Sequence, residues 1–308
     1  MLALLIYRVI FLLLMPFLLL ALLFRSLNSS QYRQRFNERL GILPTAKSLG
    51  KGGIIVHAAS VGEVIAISPF VEQLIRQYPH LPITITTFTP TGSAQVTKQF
   101  GTRVQHVYLP LDVLPCTQLF LNRLQPQLMI FMETELWPNL INQCATKKIK
   151  LLLSNGRLSA KSMKSYKKIS ALIKPTMNCF NKILCQSHDN LCNFLQLGAD
   201  VDKCSVSGNL KFDISINDSV LEKQAKLTNL LPSNRTVWLV ASTHPGDEEI
   251  TLAAFKLIKK VFPNLLLVLV PRHPERFSSV EKLCINQGYS LGKRSENTVV
   301  TEQDIWLL

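Results

Sequence analysis

"GGIIVHAASVGEV", residues 52–64, decides the fold. A short branched apolar run, residues 54–56, has the composition of a buried strand. It breaks into small and polar residues that deliver one carboxylate, Glu63, where an amphipathic pattern begins over residues 64–77. Strand, short turn and helix in this order form half of a parallel βαβ unit. The motif recurs. Apolar runs at 83–88, 104–109, 128–132, 151–154, 182–186 and 204–206 read as strands, with helix-like stretches at 91–99, 114–124 and 139–147 among them. The alternation predicts an α/β protein whose parallel sheet is covered on both faces.

A polar stretch, residues 214–234, reads as a linker, after which the pattern restarts. A strand at 237–241, a helix at 248–261, a strand at 265–270, a helix at 274–287 and a last strand near 298–300 predict a second α/β domain. The expected partition is a membrane anchor over 1–24, a first domain over 25–213, the linker, and a partial second domain over 235–308. Three strands in about 75 residues are few for a doubly wound domain. The sequence ends at "DIWLL", inside an apolar run, so the second domain is expected to be incomplete.

Residues 1–24, "MLALLIYRVIFLLLMPFLLLALLF", are almost wholly apolar and match the roughly 20 residues that span a bilayer. A cleaved signal peptide is the competing reading, but no small-residue cleavage site follows "LLFRSLNSS". A retained anchor is expected, with Arg8 snorkelling from near one end and Pro16 bending the helix. Arg25, Arg33, Arg35 and Arg39 follow the segment and place the globular part on the cytoplasmic side. Whether the segment spans or lies in one leaflet stays open.

The 308 residues carry 34 Lys plus Arg against 20 Asp plus Glu, a formal charge of +14, so anionic ligands or lipids are the expected partners. The cations are scattered rather than interleaved with aromatic residues, which argues against nucleic acid. Seven cysteines without a C-x-x-C pair read as reduced core thiols, not as disulfides or a zinc site.

In an open parallel sheet, ligands meet the loops beyond the strand carboxyl ends. The first such loop carries Ser60 and Glu63 at the spacing of a capping box, which is one reading of the pair. The other is a general base, with Gly62 leaving room beside it for a ligand. "ETELWPNL" brings Glu133 and Glu135 beside Trp137. The pair either balances the helix dipole or serves a sugar site, one acid having its pKa raised by the apolar indole. "SNGRLS" and "SGNLKFD" place Arg157 and Lys211 after turns, as surface charges or as groups that receive an anion. "ASTHPGDEE", with Ser242 and Thr243, and "VPRHPERF" end strands and open helices, an arrangement that presents N–H groups to a phosphate, with Arg272 as a fork-shaped cation for it and His273 placed to bond a base or ribose. His244 and His273 lack a third ligand at metal spacing, so no metal is expected. Neither a Walker A nor a G-x-G-x-x-G motif occurs.

Taken in order, "SVGE", "TTFTPTGS", "HVYLPLD", "METELWPN", "NGRLS", "GNLKFD", "STHPGDEE" and "LLLVLVPRHPERF" behind an apolar N-terminal segment resemble the 3-deoxy-D-manno-octulosonic acid (Kdo) transferases of lipopolysaccharide synthesis. The resemblance implies a GT-B glycosyltransferase of two Rossmann-like domains flanking a cleft. It also implies transfer of Kdo from CMP-Kdo to the lipid A precursor (lipid IVA) at the cytoplasmic face of the inner membrane, without metal or other cofactor. By motif, Glu63 is then the general base, Glu133 and Lys211 stabilise the transition state, and Pro271 and Arg272 belong to the CMP site. Family members continue beyond the equivalent of Leu308. The resemblance therefore implies poor CMP-Kdo binding by this chain, as a fragment, a frameshifted product or an inactive, membrane-anchored remnant. A different GT-B nucleotide-sugar enzyme is a further alternative.

Overall fold

The computed structural model describes residues 2–28, 30–44, 49–213, 218–296 and 300–308. The chain divides into two compact units, Met1–Ser215 and Ile216–Leu308.

In the first unit an apolar helix α1 (Leu2–Asn28) and a short α2 (Phe36–Arg39) precede a βα series. The series runs β1 (Ile54–His57), α3 (Val61–Gln77), β2 (Ile83–Thr87), α4 (Pro90–Phe100), β3 (Gln105–Tyr108), α5 (Leu114–Leu124) and β4 (Leu128–Met132). It continues with α6 (Pro138–Thr146), β5 (Lys150–Gly156), α7 (Ala160–Lys168), α8 (Ser170–Asn178), β6 (Lys182–Cys185), α9 (His188–Gln196) and β7 (Cys204–Val206). The seven strands are all parallel, in the order β3-β2-β1-β4-β5-β6-β7.

Side chains alternate across the sheet, as strand geometry requires. Ile54 and Val56 join Val64, Ile67 and Ile85 on one face, while Ile55 joins Leu109, Phe120 and Phe131 on the other. Helix starts are fixed locally: Ser60, Thr89, Ser159 and Ser187 each accept the backbone N–H three residues on. Trp137 provides no such cap for α6. Asp112 does so instead, accepting from the N–H groups of Asn139 (3.0 Å) and Leu140 (2.9 Å).

Helix α1 packs against this unit. Phe11, Met15, Leu18, Leu19 and Leu22 lie on one stripe, against Leu111, Val113 and Cys116. Tyr7 donates its hydroxyl to Asp112 Oδ2 (2.8 Å), and Arg8 donates to Oδ1 of Asn139 (3.1 Å) and of Asn142 (3.0 Å). Arg8 is thus held by protein rather than reaching for headgroups. Leu2–Phe24 is long and apolar enough to cross a membrane, with its remaining face open, including Ile6, Leu13, Phe17 and Leu20. Two flanking cations also differ from a simple surface reading. Arg39 is fully buried, its guanidinium 4.4 Å from the Tyr108 ring centre, and Arg35 is paired with Glu38 at 2.7 Å.

The second unit holds α10 (Asp218–Thr228), β8 (Val237–Thr243), α11 (Asp247–Ile258), β9 (Leu266–Pro271), α12 (Phe277–Asn286), β10 (Leu291–Lys293) and β11 (Ile305–Leu307), in a parallel sheet of order β10-β11-β9-β8. Of the stretch read as a linker, residues 214–217 lie outside the described residues. Asp218–Thr228 forms α10, and Leu227, with Leu230 and Leu231 in the turn after it, packs on Leu266, Val268 and Trp306. The strand expected near 298–300 is not observed at Val300, and residues 298 and 299 lie outside the described residues. The strands flanking that position are β10 and β11 instead. The terminal "IWL" is an inner strand, with Trp306 buried between β9 and β10. The four buried cysteines are core thiols as expected, but Cys192 is exposed.

Candidate active site

The strand order of the first unit reverses between β1 and β4, the place where neighbouring connections leave in opposite directions and open a crevice. Glu63 follows β1, and Glu133 and Glu135 follow β4, so the acids flank this switch point.

Glu63 sits in the first turn of α3 and is half-buried. Its Oε2 accepts from the Ala59 N–H (2.9 Å) and its Oε1 from the Ser60 hydroxyl (2.9 Å), while Ser60 Oγ accepts the Glu63 N–H (3.4 Å). Capping and orientation of the carboxylate are therefore one arrangement. Burial pushes the Glu63 carboxyl above its ordinary value against these two hydrogen bonds; the Glu135 charge adds to the rise and His57 opposes it. A Cβ on Gly62 would meet nothing within 4 Å, so the space beside Glu63 is open.

Glu133 has φ 54°, in the left-handed region that non-glycine residues seldom occupy. Its N–H donates to the Ser154 carbonyl (3.0 Å), and Thr134 Oγ1 donates to the Arg157 carbonyl. The loops after β4 and β5 are thereby tied together. Lys211, in the turn Leu210–Asp213 after β7, places Nζ 3.3 Å from Glu133 Oε1. Arg157 is exposed, and with Glu133, Thr134, Glu135, Ser159 and Ser162 it lines an open polar hollow of about 310 Å³.

Glu135 departs from the expected behaviour. Trp137 was expected to raise one of the two acids, and at Glu135 it acts the other way, because the indole Nε1–H donates to Glu135 Oε2 (2.9 Å) and His57 faces the same oxygen. Burial pushes the carboxyl up, yet His57 and Trp137 outweigh it, and the net displacement is downward.

In the second unit, Ser242 is exposed in the left-handed region (φ 61°), and Arg272 and His273 are exposed beyond β9. The His244 and His273 rings meet edge to face at 5.9 Å. Pro271 is buried at the end of β9. Thr243 has a buried side chain that donates to Oε1 of Glu248 (2.6 Å), whose Oε2 pairs with Arg276 (2.9 Å). That hydroxyl braces the loop. Among the described residues, no group of three or more His, Cys, Asp or Glu side chains is placed to hold a metal ion.

Several residues of the site carry no local signal. Asn155 (φ 56°) is buried, and its Oδ1 accepts the Leu210 N–H (3.1 Å), which fixes the turn bearing Lys211. Asp112 and His57 likewise act through partners distant in sequence. His57 had a cue in its position, a polar ring ending an apolar strand.

A seven-stranded parallel sheet with its polar site at the switch point, followed by a second parallel α/β unit, defines a GT-B-like α/β protein. A crystal structure of UDP-GlcNAc 2-epimerase from Neisseria meningitidis bound to UDP-GlcNAc shares this fold, with a TM-score of 0.55 and 15% identity over 83% of this chain and 71% of that one. The family described as 3-deoxy-D-manno-octulosonic-acid transferase (kdotransferase) matches residues 34–214. The 3-deoxy-D-manno-octulosonic acid transferase of Haemophilus influenzae is 43% identical over 296 residues, 96% of this chain and 69% of that protein. The protein of the same name from Rickettsia felis is 35% identical over 269 residues, 86% of this chain. The chain spans 57% of the length of that second relative. The chain belongs to the Kdo transferase family.

Proposed function

We propose that this chain transfers Kdo from CMP-Kdo to a hydroxyl of the lipid A precursor, with Glu63 as the base. As the acceptor oxygen attacks the anomeric carbon, Glu63 takes its proton. The bond from that carbon to the phosphate oxygen breaks, and CMP leaves with the electron pair. Glu133 opposes the positive charge that develops on the sugar. Lys211 holds the Glu133 carboxylate in place and offers a cation to the anionic donor. On the second unit, Ser242, Arg272 and His273 are the exposed groups suited to the nucleotide phosphate, with Pro271 shaping the loop. No residue in this scheme requires a metal ion or other cofactor.

The observation that carries the reading is the environment of Glu63. Its carboxylate is oriented by Ala59 and Ser60, beside open space over Gly62, at a switch point where two further acids and a lysine converge. The experiment is transfer of labelled Kdo by Glu63→Gln, Glu133→Gln and Lys211→Met variants. Loss in each supports the assignment, and unchanged transfer by Glu63→Gln removes the base.

The membrane association proposed for α1 is an in-plane one, on the cytoplasmic side of the inner membrane. The helix is about 40 Å long at 1.5 Å per residue. Its packed stripe runs from Tyr7 to Leu22, so a spanning orientation would draw the polar unit into the bilayer. Lying flat, the open apolar face meets acyl chains and anionic headgroups lie near the basic surface, where a lipid-borne acceptor is presented.

A further inference from the structure

His57 ends β1 with a fully buried imidazole. Its Nδ1 lies 2.9 Å from Thr86 Oγ1 and 3.2 Å from the Thr86 carbonyl oxygen. Its Nε2 is buried without a hydrogen-bond partner and lies 3.9 Å from Glu135 Oε2. The ring cannot drift. Phe131 and Trp137 each meet it edge to face at 6.1 Å, and Phe88 backs Trp137 at 5.8 Å.

An unpaired buried polar group costs about 1–3 kcal/mol, and an apolar side chain here would continue the run before it. The direction of the unpaired nitrogen points to a role. When Nδ1 accepts from the Thr86 hydroxyl, the ring proton resides on Nε2 and is aimed at the Glu135 carboxylate. The separation exceeds hydrogen-bond length, but Glu135 is on the solvent side of the pair and can close it by a side-chain rotation.

We propose that His57 is a positioning residue: with Trp137 it fixes the Glu135 carboxylate at the switch point that Glu63 also borders, and so sets the charge that faces the base. The proposal rests on the assignment of Glu63 as base. The two acids are displaced in opposite directions, Glu63 upward and Glu135 downward, the pattern by which neighbouring carboxyls take different roles. The other groups facing the pair are Glu133 with its Lys211 partner, Arg157 across the hollow, and Tyr166 of α7, whose hydroxyl donates to the Thr134 carbonyl (3.5 Å). Burial, then Glu135, pushes that phenol up, so it stays neutral where the carboxyls titrate.

The test follows carboxyl titrations directly, by NMR of protein labelled at the glutamate side-chain carbon, with Glu63→Gln and Glu135→Gln assigning the two signals. In Glu135→Gln the Glu63 midpoint falls by about 0.5 pH unit or more, and in His57→Gln the Glu135 midpoint rises. The acid limb of kcat/KM moves to lower pH in Glu135→Gln, its plateau drops, and the KM for CMP-Kdo holds. Glu135→Asp restores part of the profile. If His57→Gln does not fold, the loop variant Glu135→Gln decides alone. An unmoved Glu63 midpoint in that variant overturns the proposal, even where Glu63→Gln abolishes transfer and the base assignment stands. If the midpoints move but Glu63→Gln transfers Kdo at the wild-type rate, the base assignment fails and the catalytic use of the pair falls with it.

Discussion

Lys211 Nζ lies 3.3 Å from Glu133 Oε1, joining a turn after the last strand of the first sheet to the loop after β4. Both side chains are partly exposed, so the pair adds at most about 1 kcal/mol to stability. Its value is positional. Lys211→Met is expected to unfold at nearly the wild-type denaturant midpoint while lowering kcat for Kdo transfer by about 100-fold or more. Parallel loss of stability and activity would make the pair a structural tie instead.

Gly62 separates space from conformation. Alanine there meets no neighbour and suits a helical first turn better than glycine, so Gly62→Ala should hold or raise the thermal midpoint. If the open space receives the acceptor, the same variant raises the acceptor KM or lowers kcat. Unchanged kinetics would place the acceptor elsewhere.

The raised Glu63 carboxyl has a consequence for stability with a definite sign. The folded state binds the Glu63 proton more tightly than the unfolded chain, so folding loses stability as pH rises from the ordinary glutamate value through the folded one. Glu63→Gln removes this penalty. Its stability relative to wild type is expected to improve between acid and neutral pH, as read by urea midpoints. A relative stability independent of pH would mean that Glu63 titrates as it does in the unfolded chain.

In the second unit, Arg276 pairs with the almost fully buried Glu248, which also accepts from Thr243. Arg276→Ala leaves the Glu248 carboxylate without its cation and is expected to lower the thermal midpoint of the second unit. Hydrogen exchange in β9 should accelerate accordingly, while β1 and β4 in the other unit keep their protection.

Much of the first unit was legible because its central strands β1 and β4 are continuous apolar runs bounded by turns, and the starts of α3, α4, α7 and α9 carry Ser or Thr caps. The runs at 54–56 and 128–132 became β1 and β4 almost without adjustment. The second unit was less so. Strands β10 and β11 have three residues each, too few to show alternation, and the placement of "IWL" between β9 and β10 depends on pairing across nearly forty residues. At the site, Glu63, Glu133 and Lys211 could be singled out by motif, and their mutual placement follows from strand order. The direction of the Glu135 displacement could not be read locally, because it depends on His57, 78 residues earlier, and on the indole N–H of Trp137 rather than its apolar surface. The partner of the Thr243 hydroxyl, Glu248, could not be read from its loop.

The docking of α1 makes a separate prediction. Ile6, Leu13 and Leu20 share its open face at seven-residue spacing. Fluorescent labels placed one at a time at these positions should be quenched to similar depth by lipids brominated along the acyl chain. A depth that deepens toward Leu13 and shallows at both ends would describe a spanning helix. Tyr7→Phe combined with Arg8→Ala removes the contacts to Asp112, Asn139 and Asn142 and should loosen the helix from the body without releasing the protein from vesicles.

The most direct measurement is the rate at which labelled Kdo passes from CMP-Kdo to the lipid A precursor in the presence of Glu63→Gln protein with unchanged CMP affinity. A fall of about 100-fold or more, with wild-type binding of the nucleotide, is the predicted result. Transfer at the wild-type rate would contradict the assignment of Glu63 as the base.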